Sequence, residues 1–240
     1  MKIKNYYSPN FDRKKRSNKS IKLIVIHYTG MQSERESIIK LCDPKSKVSS
    51  HFVINQSGKI YRLINDNQVA WHAGESCWGK FKNVNKNSIG IELVNKGHEF
   101  GYENFRKEHL LSLKKICKQI IKKYKIKKQN IVGHSDIAPL RKIDPGEKFP
   151  WKDMAKTKIG IWYSCNEAHL QRLRKKRISL NERIKFIKNL KKIGYCFNSK
   201  NKTLLNKTIE AFQRKYRVRL INGKIDKECL LITQKLIKNL

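Results

Sequence analysis

Two histidines, an aspartate, a lysine and a glutamate stand where their types and spacing could do chemistry. His27 closes the apolar run "IKLIVIH", and His134 closes a second short run, "IVGH". Asp144 follows His134 by ten residues, in a stretch punctuated by Pro139, Pro145 and Pro150. Ligands at strand ends have fixed geometry, and a proline-pinned loop can fold a carboxylate back to the same point. Two imidazoles and one carboxylate, with a fourth position left open, are a donor set suited to water-activating zinc. Lys142 precedes Asp144 by two residues, within reach of the same pocket. Glu92 is a carboxylate among apolar neighbours in "SIGIELV", a costly placement unless it has a partner or a task. Each residue also has a plainer reading. A histidine at a strand end is more often hydrogen-bonded structure than a ligand, a strand glutamate can face water, and Lys-x-Asp can be a surface pair. Spacing alone leaves both readings open.

The elements that must position these residues are legible from periodicity. Residues 21–27 form a β-branched apolar run, a buried strand. A helix follows near Ser33–Cys42. "SHFVINQSGKIYRLI" (50–64) reads as two strands around Gln56-Ser57-Gly58, a hairpin signal. "SIGIELV" (88–94) and "IVGH" (131–134) are further strands. From 103 to 124, Leu110, Leu113, Cys117, Ile120, Ile121 and Tyr124 recur at helical spacing, with lysines opposite and Cys117 in the core. The fold class is therefore α/β, a mixed central sheet flanked by helices with the candidate zinc site at strand ends. Beyond Trp151 the character changes. "HLQRLRKKRIS" (169–179) is a charge run marking a boundary. Ser179-x-x-Glu182 is a capping box that opens a helix. A second helix over 206–217 puts Ile209, Phe212 and Tyr216 on one face, "INGK" turns, and a third helix closes a small three-helix domain. The expected division is 1–158, a basic linker over 159–178, and 179–240.

The bulk numbers bound the function. The chain has 240 residues and a formal charge of +36, from 55 basic and 19 acidic side chains. Hydrophobic content of 39% and aromatic content of 9% are enough for a packed core, so this is not a disordered composition. The charge would attract a polyanion; equally, it is what a Lys-, Ile- and Asn-rich genome writes on any solvated face. No helix-turn-helix, RNP-type or zinc-finger pattern is present, so nucleic acid is not the expected partner. Six scattered cysteines (Cys42, Cys77, Cys117, Cys165, Cys196 and Cys229) form no C-x-x-C pair, which argues against thiolate metal binding and leaves a disulfide open. No run approaches the ~20 apolar residues of a membrane span, and "MKIKNYYSPNFDRKKRSNKS" lacks the pattern of a signal peptide. Nothing in the sequence fixes an oligomeric state.

Four blocks in order, "IVIHYTG", "AWHAG", "SIGIELVN" and "GHSDIAPLRKIDPG", resemble the zinc-dependent N-acetylmuramoyl-L-alanine amidases of type 2, relatives of the peptidoglycan recognition proteins. "YYSPNFD" resembles the opening segment of the subgroup that carries a second domain. "IEAFQRKYR…INGKIDKECL" is similar to the peptidoglycan-binding module found there, with Asn222-Gly223 in place of the usual Asp-Gly turn. The resemblance implies one Zn²⁺ per chain on His27, His134 and Asp144. It implies Glu92 as the catalytic carboxylate, general base then general acid, and Lys142 steadying the transition state. The reaction implied is hydrolysis of the amide between the lactyl group of N-acetylmuramic acid and L-alanine, in peptidoglycan or its anhydromuramyl fragments. The alternative is a non-catalytic peptidoglycan- or polyanion-binding protein. Trp71 and His72 are candidates for the rim of the substrate cleft, with Trp71 equally readable as core, and Arg141 a candidate for a stem-peptide carboxylate. His51 reads as structural; His98, His109 and His169 have no assigned role. The absence of an export signal argues for the cytoplasm. The wall-binding module argues for the periplasm or beyond, and the envelope is the favoured expectation.

Overall fold

The computed structural model describes residues 3–240. In chain order the strands are β1 (Ile3–Asn5), β2 (Phe11–Asp12), β3 (Leu23–Tyr28), β4 (Phe52–Ile54), β5 (Ile60–Arg62), β6 (Val69–Ala70), β7 (Cys77–Trp78), β8 (Phe81–Lys82), β9 (Ser88–Leu93) and β10 (Ile131–Gly133). The helices are α1 (Glu34–Cys42), α2 (Gly97–Phe100), α3 (Lys107–Tyr124), α4 (His134–Ile137), α5 (Trp151–Lys156), α6 (Glu167–Leu173), α7 (Leu180–Ile193), α8 (Lys202–Tyr216) and α9 (Lys227–Ile237). Among the described residues the main sheet has the order β1-β5-β4-β9-β3-β10. Only β4 and β5, the expected hairpin, pair antiparallel; the other neighbours are parallel.

The period of two along β3 sorts its residues between two cores. Ile24 and Ile26 join Ile89 and Ile91 of β9 against Leu113, Ile116, Cys117 and Ile120 of α3. Leu23 and Val25 face the other way, into a cluster shared with Trp78 and with Phe186, Leu190, Phe212 and Ile232 of the C-terminal helices. His27 continues the second set, and Glu92 lies on the same side of β9, opposite Ile89 and Ile91. Strands buried on both faces explain why "IKLIVIH" reads as continuous rather than alternating.

Two expectations change in detail. α3 begins at Lys107; Glu103–Arg106 are not helical, Arg106 is extended, and Phe105 packs into the core. His134 is not the last residue of a strand; it is the first of α4, whose turn is capped by Asp136 accepting the Gly133 N–H. The capping box at Ser179 and Glu182 opens α7 with both bonds formed. Residues 159–178 carry α6, with Leu170 buried against the C-terminal helices. Cys77 and Cys196 form a disulfide that ties the β7–β8 hairpin to the segment after α7.

Candidate active site

The register of three parallel strands builds the site. Gly133 pairs with Ile26, and His27 pairs with Glu92. His134, His27 and Glu92 therefore stand side by side at the C-terminal ends of β10, β3 and β9. The loop after α4 returns Asp144 to them, held by Ser135 N–H donating to the Asp144 carbonyl at 2.9 Å. Pro145 lies so close that a Cβ on Gly133 would sit 2.6 Å from its Cδ, so glycine is required at that approach.

His27 Nδ1 lies 3.0 Å from His134 Nδ1 and 3.0 Å from Asp144 Oδ2, and His134 Nδ1 lies 3.2 Å from the same oxygen. All three side chains are buried. Such separations match the edge of a tetrahedron with zinc-ligand bonds of about 2.0–2.1 Å, roughly 3.3 Å. The outer nitrogens agree. His134 Nε2–H donates to the Ala73 carbonyl at 3.2 Å, and His27 Nε2–H donates to His72 Nδ1 at 3.0 Å. His72 Nε2–H in turn donates to Ser88 Oγ at 3.1 Å. Each chain leaves the Nδ1 lone pairs pointing inward, the tautomer a metal needs.

Protonation states fit as well. Burial, and then the neighbouring His134, lower His27 to about 4, keeping it neutral. Burial would raise Asp144, but His134 and His27 outweigh it and hold the carboxylate well below its ordinary range. A neutral imidazole beside an ionised carboxylate is ready for a cation without releasing protons.

These donors open on a cavity of about 430 Å³ that is also lined by Glu92, Lys142, Trp71, His72 and Arg141. Glu92 Oε2 is buried with no hydrogen-bond partner. Burial, then the Asp144 charge, push Glu92 up to about 8, while Lys142 pulls the other way. A carboxyl group with that value can take and return a proton near neutral pH. Lys142 is exposed at the rim.

The remaining sequence candidates fall into different surroundings. Trp71 is half-buried on the cavity wall, its indole N–H donating to Asp12 at 2.7 Å. His72 is buried behind His27; its ring occupies the space that a Cβ on Gly90 would fill, at 2.5 Å from His72 Cγ. Arg141 donates to the carbonyls of Ala73 and Glu75. His51 is buried and structural, accepting the Gly90 N–H at 3.0 Å. His109, unassigned from its polar sequence context, is buried and donates to the Ile54 carbonyl at 2.9 Å. His98 bridges Tyr28 and Glu147 at the surface. The sequence Trp71-His72 gave no sign that the histidine meets His27; the contact rests on their hydrogen bond and on Gly90 leaving room for the ring.

Comparison with known proteins points to the same chemistry. The family described as N-acetylmuramoyl-L-alanine amidase matches residues 17–147. The chain is 32% identical over 231 residues to N-acetylmuramoyl-L-alanine amidase AmiD of Escherichia coli, covering 91% of this chain and 83% of that protein. It is 36% identical over 163 residues to 1,6-anhydro-N-acetylmuramyl-L-alanine amidase AmpD of Haemophilus influenzae, covering 60% and 86%. Among solved structures, that of E. coli AmiD with its substrate anhydro-N-acetylmuramic acid-L-Ala-D-gamma-Glu-L-Lys superposes with a TM-score of 0.80. It is 31% identical and covers 95% of this chain and 92% of that one.

Proposed function

The chain belongs to the N-acetylmuramoyl-L-alanine amidase family, and from that premise we propose how its own residues carry out the hydrolysis. It is a hydrolase that cleaves the amide between N-acetylmuramic acid and the L-alanine of the stem peptide. The observation that carries the mechanism is the unpartnered Oε2 of Glu92, buried in the same cavity as the His27, His134 and Asp144 donors.

His27 Nδ1, His134 Nδ1 and Asp144 Oδ2 would hold one zinc ion. Zinc, when bound there, supplies a water acidic enough to attack near neutral pH and a positive charge beside the scissile carbonyl. Glu92 takes the proton of the attacking water and returns it to the departing amine of L-alanine. Lys142, at the rim, offers its ammonium to the carbonyl oxygen as negative charge develops. Trp71 presents a flat face to the sugar. A second cavity of about 480 Å³ shares Met31 and Lys96 with the first and extends the groove for the stem peptide. The substrates are muropeptides, intact wall or anhydromuramyl fragments. Residues 1–158 are the catalytic unit, 159–178 the connection, and 179–240 a helical unit that holds peptidoglycan.

Among the described residues no helix is long and apolar enough to cross a membrane. The Cys77–Cys196 disulfide favours an oxidising compartment, and so the envelope rather than the cytoplasm.

Mass spectrometry of muropeptides after incubation with the purified protein tests the mechanism. Free stem peptide beginning with L-alanine is expected, lost on chelation, restored by zinc and absent with Glu92→Gln. Intact muropeptides in the presence of bound zinc would leave a recognition protein instead.

A further inference from the structure

The C-terminal helices meet the β10–α4 turn at a buried carboxylate. Asp136, two residues after His134, is 2% exposed. Its Oδ2 accepts the Gly133 N–H at 2.8 Å and the Lys215 ammonium at 2.7 Å, and its Oδ1 accepts the Tyr195 hydroxyl at 2.7 Å. Gly133 is local; Lys215 and Tyr195 both come from the C-terminal helical unit. Lys215 is 4% exposed. Its Nζ also donates to the Ile131 carbonyl of β10 at 3.3 Å and stands 4.0 Å from the centre of the Trp151 ring.

A buried ammonium is costly unless fully paired, and this one spends its contacts on β10 and α4, the two elements that meet at His134. Tyr195 is fixed in turn. Cys196, next in sequence, is bonded to Cys77, and Gly79 N–H donates to the Gly194 carbonyl at 2.7 Å.

We propose that Lys215, with Tyr195, is a positioning residue for the catalytic centre. By holding Asp136 it fixes the turn that aims His134 Nδ1, so the C-terminal helices complete the hydrolytic site as well as any surface they offer to the wall. The inference rests on reading His134 as a zinc ligand. Outer-shell partners of ligands commonly change metal affinity by about 10–100-fold.

The test is zinc affinity of the full chain, measured without substrate by competition with a chromogenic chelator, at a temperature where every variant is folded by circular dichroism. Lys215→Met should weaken zinc by about 10-fold or more, and at saturating zinc should lower kcat with little change in KM. Tyr195→Phe removes one hydroxyl and should weaken zinc by about 2–10-fold, the worth of one hydrogen bond; it carries the test if Lys215→Met does not fold. Ile232→Ala opens a cavity in the core of the helical unit without removing any hydrogen-bond partner of Asp136, and should leave zinc affinity unchanged. Wild-type zinc affinity in Lys215→Met and Tyr195→Phe, or an equal loss in Ile232→Ala, would overturn the proposal and leave a merely structural contact. A wild-type chain that cleaves muropeptides yet takes up no zinc would overturn the ligand reading, and the positioning role with it.

Discussion

Glu92 is the register partner of His27 on the adjacent parallel strand. Residues paired in this way project to the same side of the sheet. A carboxyl group is therefore held beside the imidazole of the His27, His134 and Asp144 cluster by backbone hydrogen bonds, with no side-chain contact needed to place it. The cost is a carboxyl group whose Oε2 finds no partner.

If Glu92 moves the proton and binds no metal, Glu92→Gln should keep the fold and the zinc while kcat falls by about 10²–10⁴-fold. Zinc stoichiometry and single-turnover rates check this. Turnover near the wild-type rate would remove Glu92 from the mechanism.

His72, a candidate for the substrate rim, lines the cavity and is also tied to His27. His72→Ala would leave His27 Nε2–H without its acceptor. Zinc affinity should fall by about 10–100-fold, with KM nearly constant once zinc is saturating. A rise in KM at unchanged zinc affinity would return His72 to the substrate.

Much of this was legible because it is periodic. β3, β9 and α3 follow from runs long enough to show a period of two or 3.6, and His27 and Glu92 inherit their places from those runs. The meeting of His134 with Asp144 was readable from the prolines. What escaped reading lacks any period. The two-residue strands β2 and β6 are set by each other across the chain, β7 and β8 form a hairpin too short to show a period, and Cys77 pairs with Cys196 across a separation of 119 residues. The residue type of Lys215 alone predicts a solvated charge. The available signal was its place three residues after Phe212, beside Tyr216 on the apolar face of α8.

The disulfide closes a long loop, and removing that constraint on the unfolded chain should cost about 2–4 kcal/mol. Cys196→Ser should therefore melt several degrees lower than the wild type, and reductant should lower the wild type to match. Equal melting temperatures with and without reductant would count against a contribution from this bond.

Acid should destabilise the metal-free protein well above the carboxylate range. Burial lowers His27 and His109 to about 4 and His51 to about 3, against about 6.5 in an unfolded chain. As pH falls from about 6.5 toward 4, the unfolded chain takes up protons that the folded chain refuses, so stability drops across that window. His109 alone would contribute up to about 3 kcal/mol by pH 4, at about 1.4 kcal/mol per unit. Glu92, raised to about 8, acts with the opposite sign: its contribution is present below about 4.5 and lost as pH rises toward 8. One carboxyl opposes these three imidazoles and His72, which burial also lowers well below its ordinary value, so the net slope between pH 6.5 and 4.5 should favour the less acid side. Urea unfolding of the chelated protein across pH 7 to 4.5 measures it. His109→Gln keeps a donor for the Ile54 carbonyl without a titrating group and should flatten the slope. Stability that is level or rising on acidification in the wild type would contradict the burial of these histidines in their neutral form.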